Sequence, residues 1–414
     1  MEAADDKISL VDPKRSHNMN IMLGSFKRYT IHQLRAAIIT VDESILSDNM
    51  INQFIAYISP PEEVAILEAY TDDFDKLAGP EQFLTVMNRV HRYEARLTAI
   101  SFKFNFMDTF NYLDKSISNV IEASTVLSKS ESIPQLFQMI LVVGNFMNGS
   151  GFRGGAYGFK VHTLTKLADT KTTDNSNTLV HFLVRVLNNC YPMVLEFRTE
   201  LKTTEAASKV NFTDLMADFQ TMGTRLKFIH SELEDYFGPD ADLPPEDTFG
   251  DVMREFYASA SRSYSTLESR YEDMLKIYGT VVTAMGEDPQ TMSPDEFFGV
   301  FKNFLVTFER CFKEVKAQDE KEIKAEKRRM EQEARERAQQ ERLRVEEEAN
   351  SAQTDSKSDD PDGVGAMDKL LESLRSGADF NTTRRYKGRL NDKKARASAI
   401  GIKAMEMLQE IKQN

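Results

Sequence analysis

Glycine and aromatic residues are interspersed from Gly144 to Phe159, where the sequence reads GNFMNGSGFRGGAYGF. These residue types could form a binding site. Glycine-rich loops can hold phosphate groups on backbone amides, but that chemistry needs a following Gly-Lys-Ser/Thr and a preceding strand, and the sequence indicates neither. Two interpretations remain. The segment is either a surface that receives another group, since glycine allows close backbone approach, or a simple turn between helices.

The other residues able to do chemistry are scattered. Cys190 and Cys311 lie in apolar, helix-like surroundings, which is typical of reduced thiols in a cytosolic protein. The histidines occur singly and no two have the spacing of metal ligands. They are His17, His32, His91, His162, His181 and His230. With no nucleophile elbow, zinc motif or Walker sequence, the sequence predicts no enzyme, no metal site and no cofactor.

The chain is acidic, with a formal net charge of −13 over 414 residues. This charge disfavours broad affinity for nucleic acid. The acidity is uneven, because the residues from 381 onward carry nine Lys/Arg against three Asp/Glu. An amino-terminal signal is missing, as is an apolar run of about 18 residues that could cross a membrane. We therefore predict a cytoplasmic protein without a transmembrane segment.

Helical patterns run through most of the sequence and predict an all-α fold. The apolar residues at 83, 86, 87 and 90 have the i, i+3, i+4, i+7 spacing of an amphipathic helix. Pro60 to Glu63 predicts a helix start, with proline and carboxylates in the first turn. Ser132 and Gln135 have the spacing of a capping box. Phe102, Phe104 and Phe106 alternate as in a strand, yet the flanking 3.6-residue period favours a helix.

Composition divides the chain further along. Breaks are predicted at 238–245 and 286–294, where glycine and proline cluster. From Lys313 to Ala349, charged residues dominate and apolar positions are few, which predicts a long solvated helix with ion pairs between successive turns. The polar, acidic residues 350–362 predict a disordered linker.

A short amphipathic helix is predicted after this linker. Met367, Leu370, Leu371 and Leu374 share one helical face, and Gly377 ends the pattern. Such a helix cannot bury its apolar face alone, so it is typical of a ligand that docks into a groove on another domain. The alternative is a terminal helix that folds back on the core. The last stretch, 397–414, is also amphipathic.

Several sequence blocks resemble the formin homology two domain, the actin-assembling domain of formins. The Gly144–Lys171 segment is the most specific of them. The others occur in the family's order and are DPKRSHNMNIMLGSFK at 12–27, EQFLTVMNRVHRYEARLTAISFKFNF at 81–106, TLVHFLVRVL at 178–187 and SPDEFFGVFKNFLVTFERCFKE at 293–314. The resemblance implies an elongated helical domain with a knob, a coiled-coil-like region and a post. The implied activity is nucleation and elongation of unbranched filaments at the barbed end of actin.

The resemblance also assigns site residues. Ile21 matches the knob isoleucine that enters an apolar cleft of actin, and Lys171 matches the lysine of a second actin-contacting surface. On periodicity alone, Ile21 would be a core residue and Lys171 a solvated surface residue. The post surface that receives a partner's lasso, a tryptophan-bearing segment that encircles the partner, is assigned to six residues. They are Gly144, Asn145, Met147, Asn148, Gly155 and Gly158.

The start of the chain departs from the family pattern. The sequence contains no tryptophan, and about ten residues precede the Asp12 block, so the lasso is expected to be missing. The resemblance implies a homodimer for the full-length protein, but this chain is then expected to be monomeric or weakly associated. The alternative function is therefore a non-processive protein that binds or bundles actin filaments, or a regulatory scaffold.

The helix at Met367–Leu374 resembles the diaphanous autoregulatory motif, with a basic flank that includes Arg384 and Arg385. The resemblance implies that Met367, Leu370, Leu371 and Leu374 bind the protein's own amino-terminal inhibitory domain, and that a Rho-type GTPase releases it. The implied location is the cytoplasmic actin cytoskeleton and cell cortex. The predicted segments are 1–315 (an amino-terminally truncated formin homology two domain), 316–349 (charged helix), 350–362 (disordered linker), 363–396 (autoregulatory motif with basic flank) and 397–414 (amphipathic tail). The tail could bind monomeric actin, an anionic membrane or nothing.

Overall fold

The computed structural model describes residues 7–71, 73–149, 154–171, 176–238 and 241–354. Over these residues the chain is helical, and isolated bridges replace strands. This confirms the all-α prediction. The α-helices are α1 (Pro13–Ser25), α2 (Ile31–Thr40), α3 (Asp48–Ala56), α4 (Pro61–Ala69), α5 (Gly79–Asn88), α6 (Tyr93–Lys129), α7 (Ser132–Asn148), α8 (Thr163–Lys166), α9 (Leu179–Cys190), α10 (Phe197–Glu200), α11 (Thr203–Ala207), α12 (Phe212–Tyr236), α13 (Phe249–Ala284) and α14 (Pro294–Thr354). Short 3₁₀ helices lie at Phe74–Lys76 and Pro192–Glu196.

The chain folds as two compact units. The first comprises Met1–Ser124, Ala206–Val281 and Pro289–Asp295, and the second comprises Thr125–Glu205, Val282–Asp288 and Glu296–Asn414. The core of the first unit contains Met19, Phe54 and Phe83. The core of the second unit is rich in phenylalanine from α14, including Phe301 and Phe308, which are buried. Each unit therefore has an apolar core of its own.

Aromatic packing explains the strand-like alternation in α6. Phe102 and Phe106 are four residues apart on a helix, so they lie on one face, with ring centroids 5.6 Å apart. Phe256 of α13 contacts both rings, at 6.0 and 5.5 Å. The prediction of a helix here is confirmed.

A buried ion pair connects α6 with the turn before α13. Arg96 and Asp247 form paired hydrogen bonds, one of them 2.8 Å long, and both side chains are buried. The rings of Phe237 and Phe249 each lie 4.7 Å from the Arg96 guanidinium. The cation is thus held by a carboxylate and two aromatic rings in the first unit's core.

The start of α4 follows the prediction, whereas the start of α7 does not. Proline occupies the first turn of α4, as expected. Ser132 does not cap α7, because it is already inside the helix and its buried hydroxyl donates to Glu200 at 2.6 Å. Ser130 has the capping role instead, since its Oγ accepts from the backbone N–H of Ile133 at 2.9 Å.

The charged segment 316–349 is part of α14, which begins at Pro294 and ends at Thr354. The helix continues past the predicted segment boundary at residue 315. What changes there is the burial of side chains, because Val315 is the last buried residue among those described. The helix includes residues 350–354, the first five residues of the predicted linker. A formed helix gains a hydrogen bond with each added residue, and neither glycine nor proline interrupts these five.

Candidate protein-binding surfaces

Ile21 is exposed on α1. Its side chain is 64% exposed, while those of Met19 and Met22 on the same helix are buried. The polar neighbours His17 and Asn18, one helical turn earlier, are exposed as well. An isolated apolar side chain on a polar helix face gains no stability from the fold. Periodicity alone was therefore wrong in predicting that Ile21 lies in the core. A residue that inserts into a cleft of actin must be exposed in the free protein, and Ile21 is exposed.

Polar contacts fix the position of α1 in the first unit. The Asp12 side chain accepts from two backbone N–H groups of the first turn, each at 3.0 Å, and so caps the helix. Arg15 then donates through Nε to Glu63 at 3.1 Å and through Nη2 to two backbone carbonyls, those of Tyr57 and Ile58, both at 3.0 Å. Ile21 consequently projects from a helix that is held at its start.

Lys171 is exposed at the base of a loop in the second unit. It forms an isolated antiparallel bridge with Thr178, the residue that precedes α9. The adjacent backbone hydrogen bond, from Leu179 N–H to the Thr170 carbonyl, is 2.8 Å long. The ammonium group is therefore presented from a backbone position that is paired with the start of a helix.

The described part of the glycine loop, which we define as residues 144–159, is held together by Asn145. Its Oδ1 accepts from the backbone N–H of Ala156 and its Nδ2 donates to the carbonyl of the same residue, both at 2.9 Å. Gly149 and Gly155 have φ of +58° and +69°, values that favour glycine. The amide of Asn145 thus joins the end of α7 to the returning segment, a role that the sequence did not reveal.

An apolar surface lies on this loop, and we call Phe146, Met147 and Tyr157 the post patch. Phe146 is 73% exposed, Met147 is 55% exposed and Tyr157 is fully exposed. A Cβ atom added at Gly144 or Gly158 would meet nothing within 4 Å. Four of the six predicted receptor residues are on the last turn and a half of α7, and the other two are on the returning segment.

Residues after the loop fix its base in the second unit. Phe159 packs on Phe137 of α7, with ring centroids 5.4 Å apart, and Phe137 stacks on Phe301. Glu287 accepts from the backbone N–H of Val161 and from the Lys160 ammonium, each at 3.1 Å. The exposed post patch therefore rises from a well-packed base.

A polar cluster lies next to the Lys171 bridge. His181 Nδ1 is 3.1 Å from the backbone N and 2.9 Å from Oγ1 of Thr178, and His181 Nε2 is 2.8 Å from Glu314 Oε2. Cys311 is buried one helical turn before Glu314, and burial raises the pKa of its thiol, against a smaller opposite effect of the Thr178 hydroxyl. The sequence did not suggest this group, because His181 and Glu314 are 133 residues apart in the chain.

The predicted sites fall into separate places. Ile21 belongs to the first unit, whereas Lys171 and the post patch belong to the second. The predicted autoregulatory residues lie outside the described residues. They are Met367, Leu370, Leu371, Leu374, Arg384 and Arg385. Where the structure describes the chain, its helices are all too short or too polar to cross a membrane.

Comparison with known proteins confirms the resemblance. The family model described as Formin Homology 2 Domain matches residues 1–309. Human protein diaphanous homolog 3 is 34% identical over 379 residues, which is 92% of this chain and 31% of the relative. Mouse disheveled-associated activator of morphogenesis 2 is 32% identical over 380 residues, covering 91% of this chain and 33% of the relative.

The chain thus spans about a third of the length of these relatives. The family match covers Ile21 on α1, the glycine loop and Lys171. On the family match and these two relatives, this chain belongs to the formin family, in its diaphanous-related group.

Proposed function

We propose that this chain binds the barbed ends of actin filaments and assembles unbranched filaments. Membership of the formin family supports the proposal, and the observation that carries it is the exposure of Ile21 on a capped, firmly held helix. An exposed isoleucine that enters an apolar cleft gains about 1.5–3 kcal/mol from burial. Because α1 is already ordered, little further conformational entropy is lost on binding.

Lys171 supplies a second contact of a different kind. Its charge faces solvent, and actin is expected to offer it an acidic surface. Charges at the rim of an interface contribute chiefly to the rate of encounter and to register. The bridge to Thr178 keeps the backbone of Lys171 in one place, which suits a residue that sets register.

The post patch is proposed to receive an aromatic segment from a second formin subunit. Phe146, Met147 and Tyr157 provide apolar contact area, and the open space above Gly144 and Gly158 leaves room for an inserted ring. A contact of this kind repeats under twofold symmetry, so it closes a homodimer. Exposed apolar groups clustered on one loop are typical of such an interaction site.

Single-filament fluorescence microscopy with the purified chain tests the actin proposal. We expect the chain to raise the number of filaments and to associate with growing barbed ends, and Ile21→Ala to weaken that association more than tenfold, the equivalent of about 1.5 kcal/mol. Ile66→Ala is the matched control, since Ile66 is also an exposed isoleucine of the first unit. Lys166→Asp is the corresponding control for Lys171→Asp.

Two outcomes would count against barbed-end assembly. Unchanged association in Ile21→Ala, or an equal loss in Ile66→Ala, would remove the knob assignment. Binding along filament sides with bundling, and no effect at the ends, would favour the alternative of a non-processive filament-binding protein. The melting temperature of Ile21→Ala should change little, which separates a binding defect from unfolding.

Regulation is part of the same proposal and depends on the sequence motif in the tail. Met367, Leu370, Leu371 and Leu374 would dock into an inhibitory domain of the whole protein, and a Rho-type GTPase would release them. Loss of a buried Leu side chain costs about 2–5 kcal/mol, so Leu371→Ala should weaken docking more than tenfold in calorimetry. Reversing Arg384 and Arg385 should weaken it less, with an effect that decreases as salt is added.

A further inference from the structure

The cluster of His181, Cys311 and Glu314 in the second unit offers the ligand types of a metal site. An imidazole nitrogen, a thiol sulfur and a carboxylate oxygen all lie within 4.8 Å of one another. In a tetrahedral zinc site the bond lengths place ligand atoms about 3.3–3.6 Å apart. His181 Nε2 and Glu314 Oε2 are now 2.8 Å apart, so a small rotation of the exposed Glu314 would open the space for an ion.

We propose that His181, Cys311 and Glu314 bind a divalent cation of the zinc type. Calcium and magnesium prefer oxygen ligands alone, whereas a nitrogen, sulfur and oxygen set suits zinc and its neighbours in the first transition series. Three protein ligands leave one position for water, and the exposure of Glu314 gives solvent access to it. Cys311 and Glu314 are three residues apart on α14, which places both on one helix face.

Thr178 provides the outer support that such a site needs. Without metal, the Thr178 backbone N–H donates to His181 Nδ1, and Nε2–H donates to Glu314. With metal, the imidazole proton would move to Nδ1 and Nε2 would present its lone pair to the ion. Nδ1 would then give up the bond that it accepts from the Thr178 backbone N–H, and after a small shift of the ring Nδ1–H would donate to Thr178 Oγ1, now 2.9 Å away. Hydrogen bonding at the distal ring nitrogen is the usual way in which a metal-binding histidine is oriented.

The proton balance of the site is simple. Binding replaces the thiol proton of Cys311 and moves the imidazole proton from Nε2 to Nδ1, so one proton is released to solvent for each ion bound. No oxidant or reductant takes part. The ion also compensates the cost of a thiolate in a buried position, because a coordinated thiol is deprotonated by the metal.

Cobalt(II) titration of the full chain, first treated with chelator and reductant, tests the proposal. We expect one ion per chain, with the near-ultraviolet absorption of a thiolate–cobalt bond and the strong visible bands of tetrahedral cobalt, both removed by zinc. Glu314→Ala and Cys311→Ser should lower zinc affinity by about 100-fold or more, since loss of an outer-shell partner alone costs 10–100-fold. Cys190→Ser, which changes the other cysteine, should leave affinity unchanged.

Several results would overturn the inference. They are cobalt binding without the thiolate absorption, unchanged affinity in Glu314→Ala, and loss of binding in Cys190→Ser. Glu314 is exposed, so its variant remains informative even if Cys311→Ser does not fold. The measurement needs no actin, and so its result is independent of the actin-binding proposal.

Discussion

Whether a side chain in this protein contributes to binding or to stability depends on its surroundings. Ile21 and Met19 are both apolar residues of α1, yet one is exposed and the other is buried. Arg96 and Arg329 both pair with carboxylates, but the first pair is buried while the second is on the solvated part of α14. The same residue types therefore serve binding at one position and stability at another.

The buried Arg96–Asp247 pair should contribute far more to stability than the exposed Arg329–Glu333 pair. Arg96→Met leaves Asp247 buried without its cation, which costs about 3–5 kcal/mol. Arg329→Met removes an exposed pair and should cost about 0–1 kcal/mol. Urea unfolding of the two variants measures the difference. Equal midpoints would contradict this account of the first unit's core.

Loops and helix ends set the geometry of the proposed sites. The glycine loop combines backbone turns at Gly149 and Gly155 with a side-chain bracket from Asn145 to Ala156. The packing of Phe159 on Phe137 of α7, and of Phe137 on Phe301 of α14, then holds the base of the loop in place. The elements themselves follow from hydrophobic spacing, but their joints depend on hydrogen bonds between residues that are distant or irregularly spaced.

Asn145→Ala should loosen the glycine loop. The Ala156 N–H donates to Asn145 Oδ1, and such a hydrogen bond contributes a net stabilisation of about 1 kcal/mol. Without it, the Ala156 amide hydrogen should exchange with deuterium about five times faster. Asn145→Asp keeps the acceptor and loses the donor, so it should have a smaller effect on this amide. Asn189→Ala, on α9, should not change it. If the Ala156 amide exchanges at the same rate in all variants, the Asn145 side chain does not hold the loop in place.

The Arg198–Glu309 pair predicts a pH dependence of stability in the second unit. The hydrogen bond from Arg198 lowers the pKa of Glu309 below its usual 4.5, although burial acts in the opposite direction. Because the folded pKa is lowered, the stabilisation is present above pH 4.5 and is lost as pH falls through the folded pKa. Glu309→Gln should thus cost about 1 kcal/mol or less at pH 7, and the difference from the parent chain should vanish in acid. Thermal unfolding from pH 7 to pH 3 measures it, and a constant difference would refute the assignment.

At the scale of the whole molecule, the proposed actin contacts are divided between the two units. Ile21 belongs to the first and Lys171 to the second. Each unit has an independent core, so a change at one contact should not alter the other through packing. Simultaneous use of both contacts would give the chain more affinity than either alone.

The effects of Ile21→Ala and Lys171→Asp should therefore combine. Free-energy changes at independent sites add within about 0.3–0.5 kcal/mol, so the fold losses in barbed-end association should multiply in the double variant. Filament microscopy at one salt concentration measures all three variants. A double variant no weaker than Ile21→Ala would mean that only one contact is used.

Sequence alone determined the helical fold, the family and the breaks between helices. Hydrophobic spacing, glycine, proline and whole sequence blocks are local features, so they can be recognised before the chain is folded. The exposure of Ile21 did not follow from its spacing, because an isoleucine at a helical interval has the same pattern whether it faces the core or solvent. The cap by Ser130, the Asn145 bracket and the His181, Cys311 and Glu314 cluster depended on the tertiary structure. Each requires particular atoms to meet within hydrogen-bonding or ligand distance, and for the cluster only the packing of α9 against α14 brings those atoms together.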